Sequence, residues 1–251
     1  MLHLAVPSLS VRAPGKPYTC PGLGDRIHTV MLGYNYGRAH GDKVTLHLTE
    51  DKVNRDKPES WKAIVDLFPA ESVCLMPHPE SAIANKAWVK HLRDRGYDAQ
   101  CYYYGDTFGM YPCEEKFDLD ISEYLDSPAL AAPDCGADFH MGGRYCTIHL
   151  NGTGQRAISV AQRENIVAAE GPRIRFVTVG DKAEDPLLRS SLKHVGYAMY
   201  HANRHIGVDS GPMHLAYLYK EAPSLNIYAP KAQSHHVKRW VAKGAHLNLY
   251  A

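Results

Sequence analysis

Short apolar runs alternate with longer amphipathic stretches along most of this 251-residue chain. Short β-branched and apolar runs are typical of strands in a parallel sheet, and the stretches between them predict helices. The predicted strands are 18–20, 43–48, 73–76, 100–104, 145–150, 173–179, 205–208 and 224–228. The predicted helices are 25–38, 59–68, 81–95, 159–169, 187–203, 212–220 and 236–243. This alternation indicates an α/β protein with parallel sheets and helices on both faces.

The alternation breaks between residues 105 and 143, where prolines lie among Asp, Glu and Gly residues. Long connections without regular structure are uncommon inside a compact domain, so this stretch is predicted to join two units. We therefore expect an N-terminal domain over residues 1–140 and a C-terminal domain over residues 141–251.

The composition excludes several classes of protein. Hydrophobic residues make up 45% and charged residues 22%, and the formal net charge is +1, which excludes a disordered chain and a general polyanion binder. No apolar run reaches the roughly 18 residues that a membrane span needs, and the N-terminus lacks the pattern of a signal peptide. The six cysteines form no C-x-x-C pair, and the histidines show no zinc spacing. We expect a soluble, cytoplasmic protein with no transmembrane segment and no bound metal.

The first motif that could carry chemistry is GLGDRIHT, residues 22–29. A glycine turn leads into a helix that opens on Asp25, so that a ligand could approach the backbone and the free N–H groups of the first turn. Asp25 could equally be the N-cap residue of the helix, with glycine supplying the turn and no ligand needed. The residues leave both interpretations open, and capping is the simpler one.

The second motif is IGVDSGPMHLA, residues 206–216. An apolar strand runs into Asp209-Ser210-Gly211, and a helix begins at once with Pro212 near its first position. Ligands of parallel sheets bind where strand ends meet helix starts, so Ser210 and the amides around Gly211 could hold a phosphate. His214 would lie one turn further along the same helix. The alternative is again a helix cap, with His214 simply packed.

Together, the two motifs resemble those of glycosyltransferase family 9, the ADP-heptose:lipopolysaccharide heptosyltransferases. The resemblance extends over about residues 15–235 and implies a GT-B fold, in which two Rossmann-like domains face each other across a cleft. The N-terminal domain would lie on the acceptor side and the C-terminal domain would bind a nucleotide-sugar donor. Such enzymes are inverting transferases that use a nucleotide-diphosphate sugar as co-substrate, with no cofactor and no metal.

The resemblance also implies roles for individual residues. Asp25 matches the general base, and Gly24, Arg26 and His28 lie beside it on the acceptor side. The positions that match the donor-binding segments are Gly152, Thr153, Gly154, Arg156, Gly180, Asp181, Asp209, Ser210, Gly211 and His214. Asp209 would contact the sugar, Ser210 and Gly211 would contact the pyrophosphate, and Arg156 would bind the phosphates. Gly180 and Asp181 would lie near the ribose.

Several alternatives remain at this point. The acceptor could be a saccharide or a modified nucleic-acid base. The same fold could serve a nucleotide-sugar epimerase, which needs no separate acceptor, or a sugar- or nucleotide-binding module without catalysis. The basic and aromatic run between Lys231 and Lys243 could contact a diphosphate or a polyanionic acceptor, or it could be a solvated helix face with Trp240 packed inside. The tyrosine-rich segment 102–111 could line an acceptor cleft or belong to a core.

Overall fold

The computed structural model describes residues 1–6, 22–49, 58–80, 85–101, 124–152, 156–171, 173–231 and 237–250. The chain divides into two compact units, Met1–Asp126 and Ser127–Ala251. Each unit contains a parallel β-sheet with helices between its strands, which confirms the expected α/β class with two parallel-sheet units. None of the helices in the described ranges is both long and apolar enough to span a bilayer.

The first unit is built around a sheet with the strand order β3-β2-β1-β4, in which all pairs are parallel. Its elements are β1 (Leu2–Val6), α1 (Leu23–His40), β2 (Val44–Thr49), α2 (Pro58–Val65), β3 (Val73–His78), α3 (Asn85–Asp94) and β4 (Ala99–Cys101). α1 ends where Gly41 takes a left-handed conformation with φ 67°, which glycine adopts without steric cost. Trp88 and Leu92 of α3 pack against Ala5 of β1 and Ala99 of β4 in a buried cluster.

Three histidines on neighbouring strands form a hydrogen-bonded chain across this sheet. Nδ1 of His3 lies 2.9 Å from Nε2 of His47, and Nδ1 of His47 lies 2.9 Å from Nε2 of His78. The ring of Tyr97 lies against His47, with 4.6 Å between ring centroids. His47 is fully buried, and burial lowers its pKa from 6.5 to about 4, with a further contribution from the neighbouring histidines.

The second unit contains a sheet with the strand order β6-β5-β7-β8-β9, again with parallel pairs. Its elements are β5 (Cys146–His149), α4 (Val160–Glu170), β6 (Phe176–Thr178), α5 (Pro186–Ser190), α6 (Leu192–His201), β7 (His205–Val208), α7 (Gly211–Tyr219), β8 (Leu225–Pro230), α8 (Lys238–Ala242) and β9 (His246–Tyr250). Successive side chains along β5 point to opposite faces of the sheet. Cys146 and Ile148 therefore pack with Ile166 of α4, whereas Tyr145 packs with Ala198 of α6.

The boundary between the units lies earlier than the expected division at residue 140. The segment from Ser127 onward packs on the second unit, because the Leu130 amide donates to the Leu218 carbonyl at 2.9 Å. Phe139 makes an edge-on contact with His194 of α6, with 4.7 Å between ring centroids. Residues 127–140 thus belong to the second unit, and the acceptor and donor roles of the two units stay predictions.

Most predicted elements have counterparts in the structure, with three differences. β1 was not predicted, because its short apolar run precedes a proline-rich stretch, and the predicted strand 18–20 lies outside the described residues. The predicted helix 187–203 is divided at Ser191, whose side chain caps the start of α6. β9 was missed although its apolar positions alternate with polar ones, which is the pattern of a half-buried strand at the edge of a sheet.

Both sheets contain a buried histidine that should make the protein sensitive to acid. His205 of β7 is fully buried, and burial lowers its pKa to about 3, with a smaller contribution from His149. For His47 and His205 the folded state resists protonation, so the stability that they contribute is present above about pH 6.5 and is lost as the pH falls toward their folded pKa values.

We therefore expect the free energy of unfolding to fall by about 2 kcal/mol for each of the two histidines between pH 7 and about pH 5. Urea denaturation at both pH values measures this loss. In His205→Asn the pH dependence should be shallower, whereas substitution of the exposed His246 by Gln should leave it as in the wild type. Equal stability of the wild type at both pH values would contradict the expectation.

Candidate functional site

The start of α1 holds the predicted general base, Asp25. Gly22 is the N-cap residue, and its N–H donates to Oδ2 of Asp25 at 2.8 Å. The half-buried carboxylate therefore caps the helix from the third helical position, whereas the simpler interpretation of the motif expected Asp25 itself to be the N-cap residue. Capping does not exclude a second task, because a carboxylate offers several lone pairs. The role of Asp25 as a base stays a prediction.

The residues beside Asp25 differ in how far they are accessible. Gly24 is half-buried in the first turn of α1. Arg26 is almost fully buried, and its Nη1 donates to Oγ of Ser60 at 2.6 Å. His28 is fully buried within α1. Arg26 thus joins α1 to α2, and a contact of Arg26 or His28 with an acceptor stays a prediction.

In the second unit, the strands β5, β6 and β7 end at one edge of the sheet, and most of the predicted donor-binding residues follow them. Arg156 comes after β5, and its Nη1 donates to the backbone carbonyl of Asp209 at 2.7 Å and lies 3.5 Å from Oδ2 of the same residue. The other oxygen of Asp209, Oδ1, lies 3.3 Å from Nε2 of His214. Two segments that are distant in sequence are thereby held together at the start of α7.

Ser210 is the N-cap residue of α7, but its side chain does not cap the helix. Its Oγ instead donates to the Val208 carbonyl at 3.1 Å and lies 3.1 Å from Nδ1 of His149. The first backbone N–H after Ser210 belongs to Gly211, and the next residue, Pro212, has no N–H. The helix start therefore offers a backbone donor and a hydroxyl that the helix itself does not use.

His149 connects this hydroxyl to a carboxylate. Its Nε2 lies 3.3 Å from Oδ1 of Asp181, which also accepts a hydrogen bond from Nδ2 of Asn151 at 3.1 Å. Burial lowers the pKa of His149 more than the hydrogen bond and charge of Asp181 raise it. Partial burial raises the pKa of Asp181, but the bonds from Asn151 and His149 outweigh it, and that pKa lies below its ordinary value. We call Arg156, Asp209, Ser210, His149 and Asp181 the α7 site.

Two glycines of the predicted set allow close approaches. A Cβ on Gly152 would collide with the backbone of Arg156, so only glycine fits there. Gly180 has φ 82°, and a Cβ on it would lie 2.8 Å from Cδ2 of His149. Thr153 and Gly154 lie outside the described residues. The structure thus places the described members of the predicted donor set along one sheet edge, and their contact with a donor stays a prediction.

The sequence interpretation missed His149, a member of the α7 site, and three residues that support the site. His149 ends β5, Asn151 follows it, and a guanidinium nitrogen of Arg163 donates to Oδ1 of Asn151. Tyr250, at the end of β9, donates its hydroxyl hydrogen to the Arg156 carbonyl at 3.2 Å. His149 and Asn151 could have been found, because polar residues at the carboxyl ends of parallel strands lie where ligands bind.

The basic and aromatic run between Lys231 and Lys243 fits in part the interpretation that it is a solvated helix face. Trp240 of α8 is fully buried, and its ring meets His214 edge-on at 4.8 Å between centroids. Lys238 and Lys243 are exposed, and His235 and His236 lie outside the described residues. Residues 102–111 also lie outside them. Within the part of the chain that the structure describes, no group of three or more His, Cys, Asp or Glu side chains is arranged to hold a metal ion.

Comparison with known proteins shows a similarity of fold. No protein-family model matches the chain, and no curated protein matches its sequence. Among solved structures, the chain is similar to the iron-containing dodecameric glycosyltransferase TibC from enterotoxigenic E. coli H10407. The TM-score is 0.50 at 13% identity, over 90% of this chain and 57% of that chain. The chain therefore spans little more than half the length of TibC, and the similarity shows a shared fold.

Gly180→Ala should disturb the α7 site, because the new methyl group would press on the ring of His149. Gly136→Ala is a matched control, since Gly136 has a similar φ of 79° but no atom within 4 Å of its Cβ position. We expect Gly136→Ala to cost about 1 kcal/mol of unfolding free energy and Gly180→Ala about 1–3 kcal/mol more. Denaturant unfolding measures both, and equal losses would contradict the tight contact.

Proposed function

We propose that the protein is a glycosyltransferase that moves a sugar from a nucleotide-diphosphate sugar to an acceptor hydroxyl. The observation that carries this proposal is the α7 site, where a guanidinium, a hydroxyl and a helix start lie together at the carboxyl edge of a parallel sheet. The shared fold with the glycosyltransferase TibC supports it.

The α7 site suits the diphosphate of a donor. A guanidinium has five N–H donors, so the bonds of Arg156 Nη1 to Asp209 leave other N–H groups for phosphate oxygens. The Gly211 amide and the dipole of α7 favour an anion at the same place. Asp209, held by Arg156 and His214, would present a carboxylate to a sugar hydroxyl. These donors need no metal ion to stabilise a departing diphosphate, and we propose a metal-independent reaction.

The proposed reaction is a single displacement with inversion. The acceptor oxygen attacks the anomeric carbon, the bond from that carbon to the diphosphate oxygen breaks, and its electron pair leaves with the nucleotide diphosphate. The acceptor proton passes to Asp25. The transition state would resemble an oxocarbenium ion, and negative charge would grow on the diphosphate, where fixed donors contribute most. The first unit would supply the acceptor side and the second unit the donor side.

Asp25 is a weak base in this scheme. Its carboxylate lies at the start of α1 and accepts the Gly22 N–H, and both features favour the ionised form. Such a base can still work if the proton moves late, after the bond to the diphosphate has largely broken. The acceptor, a saccharide or a modified nucleic-acid base, has to be identified by assay.

Donor binding is tested first on Arg156. A panel of nucleoside diphosphates and nucleotide sugars should include ligands that raise the melting temperature of the wild type, because a ligand of the folded state stabilises it. Arg156→Gln should weaken the binding of those ligands by about 10- to 100-fold in calorimetry, since charge-assisted hydrogen bonds are lost. Arg204→Gln is the control, because Arg204 precedes β7 at the opposite edge of the sheet and pairs with Glu170. Equal affinities in wild type and Arg156→Gln would remove Arg156 from the site.

Catalysis is tested on Asp25. Asp25→Asn keeps an oxygen that can accept the Gly22 N–H, so its melting temperature should stay close to that of the wild type. Its kcat should fall by at least about 100-fold with little change in donor affinity, because an amide cannot take the acceptor proton. Asp185→Asn is the matched control, since Asp185 caps α5 in the second unit. Normal turnover in Asp25→Asn would leave Asp25 only a capping role, and donor binding without turnover by the wild type would favour a binding module.

A further inference from the structure

The hydrogen bonds of His149 fix the state of its ring in the free protein. The carboxylate of Asp181 can only accept, so the hydrogen of a neutral ring lies on Nε2, which faces that carboxylate at 3.3 Å. Nδ1 is then an acceptor toward Ser210 Oγ at 3.1 Å. The single hydroxyl hydrogen of Ser210 points either to Nδ1 or to the Val208 carbonyl. In neither case is it directed to a ligand.

A protonated ring would change this arrangement without moving an atom of the backbone. An imidazolium donates from both nitrogens, so that Nε2 keeps its bond to Asp181 and Nδ1 now donates to a lone pair of Ser210 Oγ. Nδ1 no longer competes for the hydroxyl hydrogen. That hydrogen could then turn to an anionic phosphate oxygen, which is a stronger acceptor than the Val208 carbonyl.

We propose that His149 takes up a proton when a diphosphate binds at the start of α7, and thereby directs the hydroxyl hydrogen of Ser210 to the ligand. The inference rests on the proposed donor-binding function of this site. His149 is then a positioning residue that acts through Ser210.

The charges around His149 leave its protonation open to control by a ligand. Burial and Arg163 of α4 disfavour the charged ring, whereas Asp181 and a backbone hydrogen bond of His149 favour it. Burial is the largest cause and keeps the pKa of His149 below its ordinary value in the free protein. A diphosphate would add negative charge beside Ser210, which favours the imidazolium. The carboxylate of the neighbouring Asp209 is paired with Arg156 and His214.

Calorimetry tests the proton uptake with ADP, UDP and GDP as probes. The binding heat is measured at one pH in two buffers that differ in ionisation heat, which gives the number of protons taken up. The terminal phosphate of each probe titrates near neutral pH as well, so the variant His149→Asn supplies the background. Its amide places a polar group near the position of Nδ1 but does not titrate. We expect the wild type to take up as much as one proton more than His149→Asn.

Proton uptake on binding also predicts how the affinity for the probe depends on pH. Where one proton is taken up, the Kd of the wild type should rise by as much as about tenfold per pH unit above the pKa of the free ring, and this additional dependence should be absent in His149→Asn. Nitrogen-15 spectra of the histidine rings give a second readout that needs no variant to bind. The His149 signals should change from a neutral Nε2–H ring to an imidazolium when the probe is added.

The outcomes separate this inference from the proposed function. If no nucleoside diphosphate binds to the wild type, the proposed donor site itself is wrong. If a probe binds but wild type and His149→Asn take up equal numbers of protons, and the ring signals stay those of a neutral ring, only the role of His149 is overturned. An imidazolium already present without a ligand at neutral pH would overturn it as well.

Discussion

The guanidinium of Arg156 joins the turn after β5 to the turn before α7, and the arrangement of the candidate site depends on this bond. It holds both the backbone carbonyl and the carboxylate of Asp209. Asp209 in turn meets His214, whose ring lies against Trp240 of α8. A polar contact at the sheet edge is thus continuous with a buried aromatic contact, which fixes the direction of the carboxylate more firmly than a solvated ion pair could.

The two acidic residues of the motifs occupy different surroundings. Asp25 accepts a backbone N–H at the start of α1, and this bond can be explained by helix capping alone. Asp209 is held by the side chains of Arg156 and His214 at the start of α7, where the Ser210 side chain makes no capping hydrogen bond. Local helix stability therefore accounts for the first carboxylate but not for the second. For this reason the functional proposal rests on the second motif, and a functional role of the first motif has to be tested by activity measurements.

Local pattern was sufficient to predict most of the elements and the places where strands run into turns. The DSGPMH segment begins a helix after a buried strand, as its residues predict, because strand, turn and helix propensities are short-range properties. The partners of those residues could not be predicted in the same way. Arg156 and Asp209 are 53 positions apart, and His149 and Ser210 are 61 apart, so their contacts depend on the order of strands in the sheet. The capping bond of Asp25 spans three positions, and the sequence interpretation expected a cap by Asp25 but placed it at the N-cap position that Gly22 occupies.

The histidine chain of the first sheet has a direction. Oε2 of Glu80 lies 4.0 Å from Nδ1 of His78, and a carboxylate there favours a hydrogen on that nitrogen. Nε2 of His78 must then accept from His47, and His47 must accept from His3, so that one carboxylate sets the tautomer of three rings. The bonds consequently reverse together or not at all. Protonation of His47 or His78 at its accepting Nε2 would place two hydrogens between one pair of ring nitrogens, so the chain opposes the uptake of a proton at its centre.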